Sequence, residues 1–144
     1  MNVKRYLAAS LAVFAFSMAL GYLVHGVILQ STYQSIQGVW RTDMQSKMWI
    51  NTLVALLVSF LATYIFTKGY EGKGIMEGLR FGLVIGLFLS IPAAYGTYMI
   101  IPIPYYLALE WFLYGTAQWI ILGAVAAAVY KPLAAAPGKR AATA

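Results

Sequence analysis

Every fourth residue from Gly74 onward is small: Gly74, Gly78, Gly82, Gly86, Ser90 and Ala94. Most of the series lies inside the apolar run GLRFGLVIGLFLSIPAA. Residues i and i+4 share a helix face, so the spacing predicts a helix with one side of nearly bare backbone, a glycine-zipper face. Leu79, Leu83, Ile85, Leu87, Phe88 and Leu89 fill the other sides. In water each interior glycine would cost such a helix about 1 kcal/mol relative to alanine. In lipid the same face lets a second helix approach closely, and the helix satisfies its own backbone groups. The stretch reads as the core helix of a small integral membrane protein.

Composition agrees with a bilayer. The chain has 144 residues, 62% hydrophobic and 10% charged, against roughly 45–50% apolar in soluble domains. A domain of this size has too little interior to hide that much apolar surface. Cysteine is absent. Disulfides, thiolate nucleophiles, iron–sulfur clusters and Cys-bearing zinc sites are thereby excluded.

Four spans follow from hydropathy, at about 6–29, 48–67, 75–101 and 105–130, each long enough for a ~30 Å hydrocarbon layer. The first has a rival reading as a cleaved signal peptide, with Ser17-Met18-Ala19 as the small-x-small site. The apolar run continues well beyond Ala19, which favours a retained span. Between the first two spans, residues 30–47 are polar, yet Tyr33, Ile36, Trp40 and Met44 recur at helical spacing. This predicts a short amphipathic helix at the interface, with Trp40 and Trp49 in the aromatic belt. In the second span Asn51, Ala55, Ser59, Thr63 and Thr67 form another small or hydroxylated stripe. Pro92 should kink the third span by freeing the carbonyl of Phe88. Pro102-Ile103-Pro104 ends that span. Residues 132–144, rich in alanine, read as a flexible cytoplasmic tail.

Charge placement orients the spans. Lys4, Arg5, Lys68, Lys73, Arg80, Lys131, Lys139 and Arg140 fall on one side; Arg41 and Lys47 fall on the other with Asp43. The positive-inside rule puts both termini in the cytoplasm and the 30–47 loop in the periplasm. It also accounts for the net charge of +6 without nucleic acid. The expected fold is an all-α, integral membrane four-helix bundle of up-down topology, a single domain over 1–131.

The stretches HGVIL (25–29), KGYEGKG (68–74), EGLRFGL (77–83), PIPYYLALEW (102–111) and VYKP (129–132) resemble a group of small uncharacterised four-helix bacterial inner-membrane proteins. The resemblance covers most of the chain. It implies that fold and a bacterial inner-membrane location, and no chemistry. The group often carries an acidic residue near Gly21-Tyr22; this chain has none there.

Ionisable residues inside a span are functional candidates. His25 lies about four residues, ~6 Å, from the outer end of the first span, and Glu110 about five residues, ~8 Å, inside the fourth. Asn51 is at similar depth. Tyr114 and Gln118 continue the Glu110 stripe. A His25–Glu110 contact joined by Asn51 is the expected buried polar site. It could serve as a proton- or ion-sensitive centre or as a structural hydrogen bond, and the second is the simpler use. No metal is expected, because one histidine and one carboxylate fall short of the three or four ligands zinc needs. Haem would need a second axial ligand. No cofactor is expected, and no nucleophile–base set suggests an enzyme. Gly72-Lys73-Gly74 lacks phosphate-loop spacing and reads as a turn.

The leading functional expectation is an accessory or scaffold subunit that packs against a membrane-protein partner, or itself, through small-residue faces. Alternatives are a small oligomeric transporter or channel gated at His25/Glu110, and a binder of a quinone, carotenoid or lipid in an aromatic-lined groove. The topology is directly testable because the chain has no cysteine. In intact cells with a permeabilised outer membrane, Ser35→Cys should react with an impermeant thiol reagent and Gly72→Cys should not. The reverse pattern would invert the orientation.

Overall fold

The computed structural model describes residues 1–131; the tail expected at 132–144 lies outside the described residues. Among the described residues the chain is helical, without strands. The long helices are α1 (Val3–Ile28), α3 (Met48–Lys68), α4 (Ile75–Ile100) and α5 (Tyr105–Tyr130), with a short α2 (Gln30–Ser35) after α1. The four long ones are apolar and long enough to cross a membrane. Their outward faces carry large apolar side chains; Phe88 and Met99 are 73% and 79% exposed. A protein surrounded by water would hide such residues.

Local chemistry sets the ends. The Asn2 side chain caps α1 by accepting from the Arg5 N–H at 3.2 Å. The turn between α3 and α4 uses Gly72 and Gly74 at φ 81° and 75°, angles that suit glycine alone. The Glu77 carboxylate in the first turn of α4 accepts from the Glu71 and Lys73 N–H groups at 2.6 and 2.8 Å. It therefore pins the turn as well as favouring the helix dipole. Pro104, in extended conformation, starts α5.

Two of the long helices loosen toward the same end. α1 widens to a π-helix over Tyr22–Ile28 and α4 over Pro92–Gly96. In α4 the cause is Pro92, which lacks the N–H needed to continue the α ladder. The expected kink takes the form of a π segment, a recognised way of absorbing such a defect.

The long helices alternate in direction. One core cluster joins Ala9 and Val13 of α1, Phe66 of α3 and Leu122, Ala126 and Tyr130 of α5, with Phe81 of α4 beside it. The other joins Val24, Leu29, Ile103, Leu107 and Ala108. The Asn2 N–H lies 3.4 Å from the Tyr130 hydroxyl oxygen, so the N-terminus and the end of α5 share the first end. Lys4, Arg5, Lys68, Lys73 and Lys131 flank the helix termini gathered there. At the opposite end Arg41 and Lys47 both pair with Asp43 at 2.9 Å. These two cations hold the Asp43 carboxyl below the usual carboxylate range.

Helix adjacency is uneven. α4 packs most extensively on α5, and α1 packs on both α3 and α5, but α3 barely touches α4 or α5. In the α4–α5 contact Gly78, Gly82 and Gly86 face Gly123, Trp119 and Thr116. A Cβ on Gly82 would collide with the Trp119 carbonyl and sit 2.7 Å from Ile120 Cα. Ser90 abuts Gly115, and Ser90 and Ala94 are buried. Gly74 lies outside this contact, in open space at the turn, because its positive φ precedes the helix. In α3 the small stripe is buried at Ser59 and Thr63, and the Tyr6 hydroxyl donates to the Phe60 carbonyl at 3.2 Å. Asn51, at the head of that stripe, is exposed.

Gly82→Leu should force α4 away from α5 and destabilise the protein by about 1–3 kcal/mol or more. Phe88→Leu, on the outward face, should change stability by less than about 0.5 kcal/mol. Thermal unfolding in detergent measures both, and equal midpoints would contradict the close contact.

Candidate functional site

At the end with the two π segments, α1, α4 and α5 line an open-sided cavity of about 410 Å³. α1 contributes His25. α4 contributes Leu89, Ser90, Ala93, Ala94 and Thr97, and α5 contributes Trp111, Gly115 and Trp119. His25, Ala93 and Ala94 belong to the π segments, and such segments are frequent at functional sites. Most of the wall is hydrocarbon or indole. Its polar side-chain groups are the imidazole, two hydroxyls and the indole N–H groups. This balance suits a small-molecule pocket.

The segment after α1 folds over this end. Leu29 and Ile103 are buried beneath it, and Tyr33, Ile36, Val39 and Trp40 pack against them. The amphipathic pattern of the loop thus serves as a cap, formed by α2 and a following 3₁₀ turn rather than by one helix. Met44, at the end of the pattern, is exposed. Within the cap the rings of Tyr33, Trp40 and Trp111 lie 5.5–6.4 Å apart.

The Tyr33 hydroxyl is the hub. The Trp111 Nε1–H donates to it at 2.8 Å, and it lies 2.5 Å from His25 Nδ1. An indole can only donate, so the phenol oxygen accepts from Trp111, and the Tyr33 hydroxyl shares a second hydrogen bond with His25 Nδ1. Burial pushes the Tyr33 hydroxyl from its ordinary 10.0 up to about 12, opposed by the Trp111 hydrogen bond and assisted by the Glu110 charge. The phenol therefore stays protonated at any physiological pH.

The residues expected to form the site are arranged differently. His25 bonds to Tyr33, not to Glu110, because α2 turns back and inserts Tyr33 beside the imidazole. Trp111, one position after Glu110, is the α5 residue that faces this pair. Glu110 is half-buried, and its Oε2 is enclosed without a partner, as is Trp40 Nε1 in the cap. Gln118 donates to the Ser17 carbonyl at 3.3 Å and ties α5 to α1. Tyr114 packs against the core cluster of Val24, Leu29, Ile103, Leu107 and Ala108. Asn51 is exposed and joins none of them. Tyr33, Thr97, Trp111 and Trp119 were not expected at the site, and Ser90 was expected only on the helix-packing face. Ser90 and Thr97 did leave a signal: seven residues, two turns, separate them, which puts both hydroxyls on one face. Tyr33 left none, since its role depends on how the loop folds back.

Among the described residues no three His, Asp or Glu side chains converge as metal ligands would. The chain matches no family model, no curated protein and no solved structure.

Tyr33→Phe leaves the Trp111 N–H unpaired and should cost about 1–3 kcal/mol. In a double-mutant cycle with His25→Ala it should couple by more than about 0.5 kcal/mol, whereas Glu110→Gln with His25→Ala should add within that scatter. Additivity in the first cycle would remove the hub. The pH dependence has a defined sign. The folded value of Tyr33 exceeds the unfolded one, so its contribution is intact below pH 10.0 and falls as pH rises through about 12. Tyr33→Phe should lack that part of the alkaline loss in a titration of thermal stability.

Proposed function

We propose that this is a multi-pass protein of a bacterial inner membrane, with both termini cytoplasmic, that binds a lipid-soluble molecule in the cleft at its outer end. The observation that carries the reading is the cavity between α1, α4 and α5, with His25, Ser90 and Thr97 set in a wall of leucine, alanine and indole. A volume of about 410 Å³ is in the range of small-ligand pockets. Three hydrogen-bonding side chains can orient a carbonyl or hydroxyl group while the rest receives apolar surface. Ala93, on the wall, is exposed at the surface of the chain, which gives a membrane-dissolved molecule a lateral way in.

The other expectations fare less well on the same geometry. An accessory subunit would dock through small-residue faces, yet Gly78, Gly82 and Gly86 are occupied by α5 of the same chain. A channel needs a polar path onward from the cavity. Gln118 is held by Ser17 instead of lining the cavity, and below Ser90 α4 and α5 meet backbone to backbone.

Ala93→Trp should fill the cavity from its exposed wall without entering a helix contact. Protein purified from native membranes should carry a solvent-extractable, lipid-soluble compound. We expect at least a tenfold drop in its molar ratio to protein in Ala93→Trp, and no drop in Val84→Trp on the outward face of α4. Equal amounts in wild type and both variants, by mass spectrometry of the extract, would refute the reading.

A further inference from the structure

We propose that the ligand is a long-chain amphiphile, with its hydrogen-bonding head in the outer cavity and one hydrocarbon chain running into the gap between α3 and α4. This rests on the cavity binding a ligand, as proposed above. The gap is a second concavity, of about 190 Å³, lined by Val58, Ala62 and Ile65 of α3 and Ile85, Phe88 and Leu89 of α4. Not one side chain on its wall carries a hydrogen-bonding group. Leu89 lines both concavities, so the two meet at that side chain. Polarity falls along the cleft in one direction, from His25, Ser90 and Thr97 at the outer end to pure hydrocarbon in the gap.

The gap also has a floor. α3 and α4 come together at the end nearer the termini, where the rings of Phe66 and Phe81 lie 5.2 Å apart. Thr97 and Ile85, the far ends of the two linings on α4, are twelve residues apart, about 18 Å along a helix, within a hydrocarbon layer of ~30 Å. The occupant is therefore extended and narrow, with its head near one interface and its tail directed toward the middle of the bilayer. A compact ring system would fill the outer cavity alone. A helix from a second copy of the chain is about 10–12 Å across and would not enter so small a gap. One flexible hydrocarbon chain meets both limits.

The test uses the full chain in phosphatidylcholine bilayers, with Trp49→Phe to remove the lipid-exposed indole. The probes are monoolein brominated on its chain and a brominated short-chain alcohol; bromine quenches Trp111 and Trp119 at the cavity. Two variants narrow the gap: Val58→Phe on its wall and Ile65→Phe at its exposed rim. The long-chain probe should quench saturably and bind at least tenfold more tightly than the short one. Either variant should bring the two within about twofold by weakening the long probe alone. Equal affinities in the unaltered gap, or variants that leave the long-chain preference intact, would overturn the chain assignment while leaving the cavity occupied. Absence of saturable quenching by either probe would remove the cavity reading and this proposal with it.

Discussion

The contact between α4 and α5 is the constraint from which the rest of the structure follows. Glycines at 78, 82 and 86 bring the two backbones so close that a single Cβ at Gly82 would collide with a carbonyl of α5. In lipid, where apolar side chains gain little by leaving their surroundings, close packing of this kind is the main force available between helices. It fixes α4 on α5 and turns the leucine- and phenylalanine-bearing faces of α4 outward. α1 then packs on the other side of α5, and α3 follows α1. With α4 committed to α5, α3 has no partner on its α4 side except near the Phe66–Phe81 contact. The gap between α3 and α4 is the consequence of that asymmetry.

The end away from the termini is built by different means. There α1 and α4 are loosened to π geometry, and aromatic packing with a shared hydroxyl holds it. Tyr33 connects three segments far apart in the chain: α1 through His25, α2 through itself, and α5 through Trp111. Removing one phenolic oxygen would leave a buried donor unpaired, and such groups are costly. The small-residue seam supplies rigidity at one end, and the aromatic cap closes the bundle at the other. The cavity lies between them, where neither kind of packing reaches.

Much of the fold could be read from spacing alone. The i+4 run from Gly78 to Ala94 and the placement of Pro92 follow from helix periodicity and proline chemistry, both local properties. Span lengths came within a few residues for the same reason. Which helix would occupy the glycine face was not legible, since that depends on Gly123, forty-five residues from Gly78, and Gly115, twenty-five from Ser90. The buried polar site was read from depth and sequence neighbours, which placed His25 and Glu110 at one level but could not rank Tyr33 above Glu110 as the imidazole's partner. That choice is made by the return of the chain after Leu29. Gly74 and Asn51 mark the opposite error: each continues a stripe in sequence, and each lies past the point where its helix meets a neighbour.

The central claim is that α4 closes on α5 and leaves an open cleft toward α3. Paired cysteines in this cysteine-free chain test it in native membranes. A Cβ on Gly115 would lie 3.4 Å from Ser90 Cβ, close to the ~3.5–4.5 Å a disulfide needs. Ser90→Cys with Gly115→Cys should therefore oxidise readily to an intramolecular disulfide. Val58→Cys with Ile85→Cys, on opposite walls of the gap, should remain reduced under the same oxidant. Efficient closure of the second pair, or failure of the first, would contradict the account.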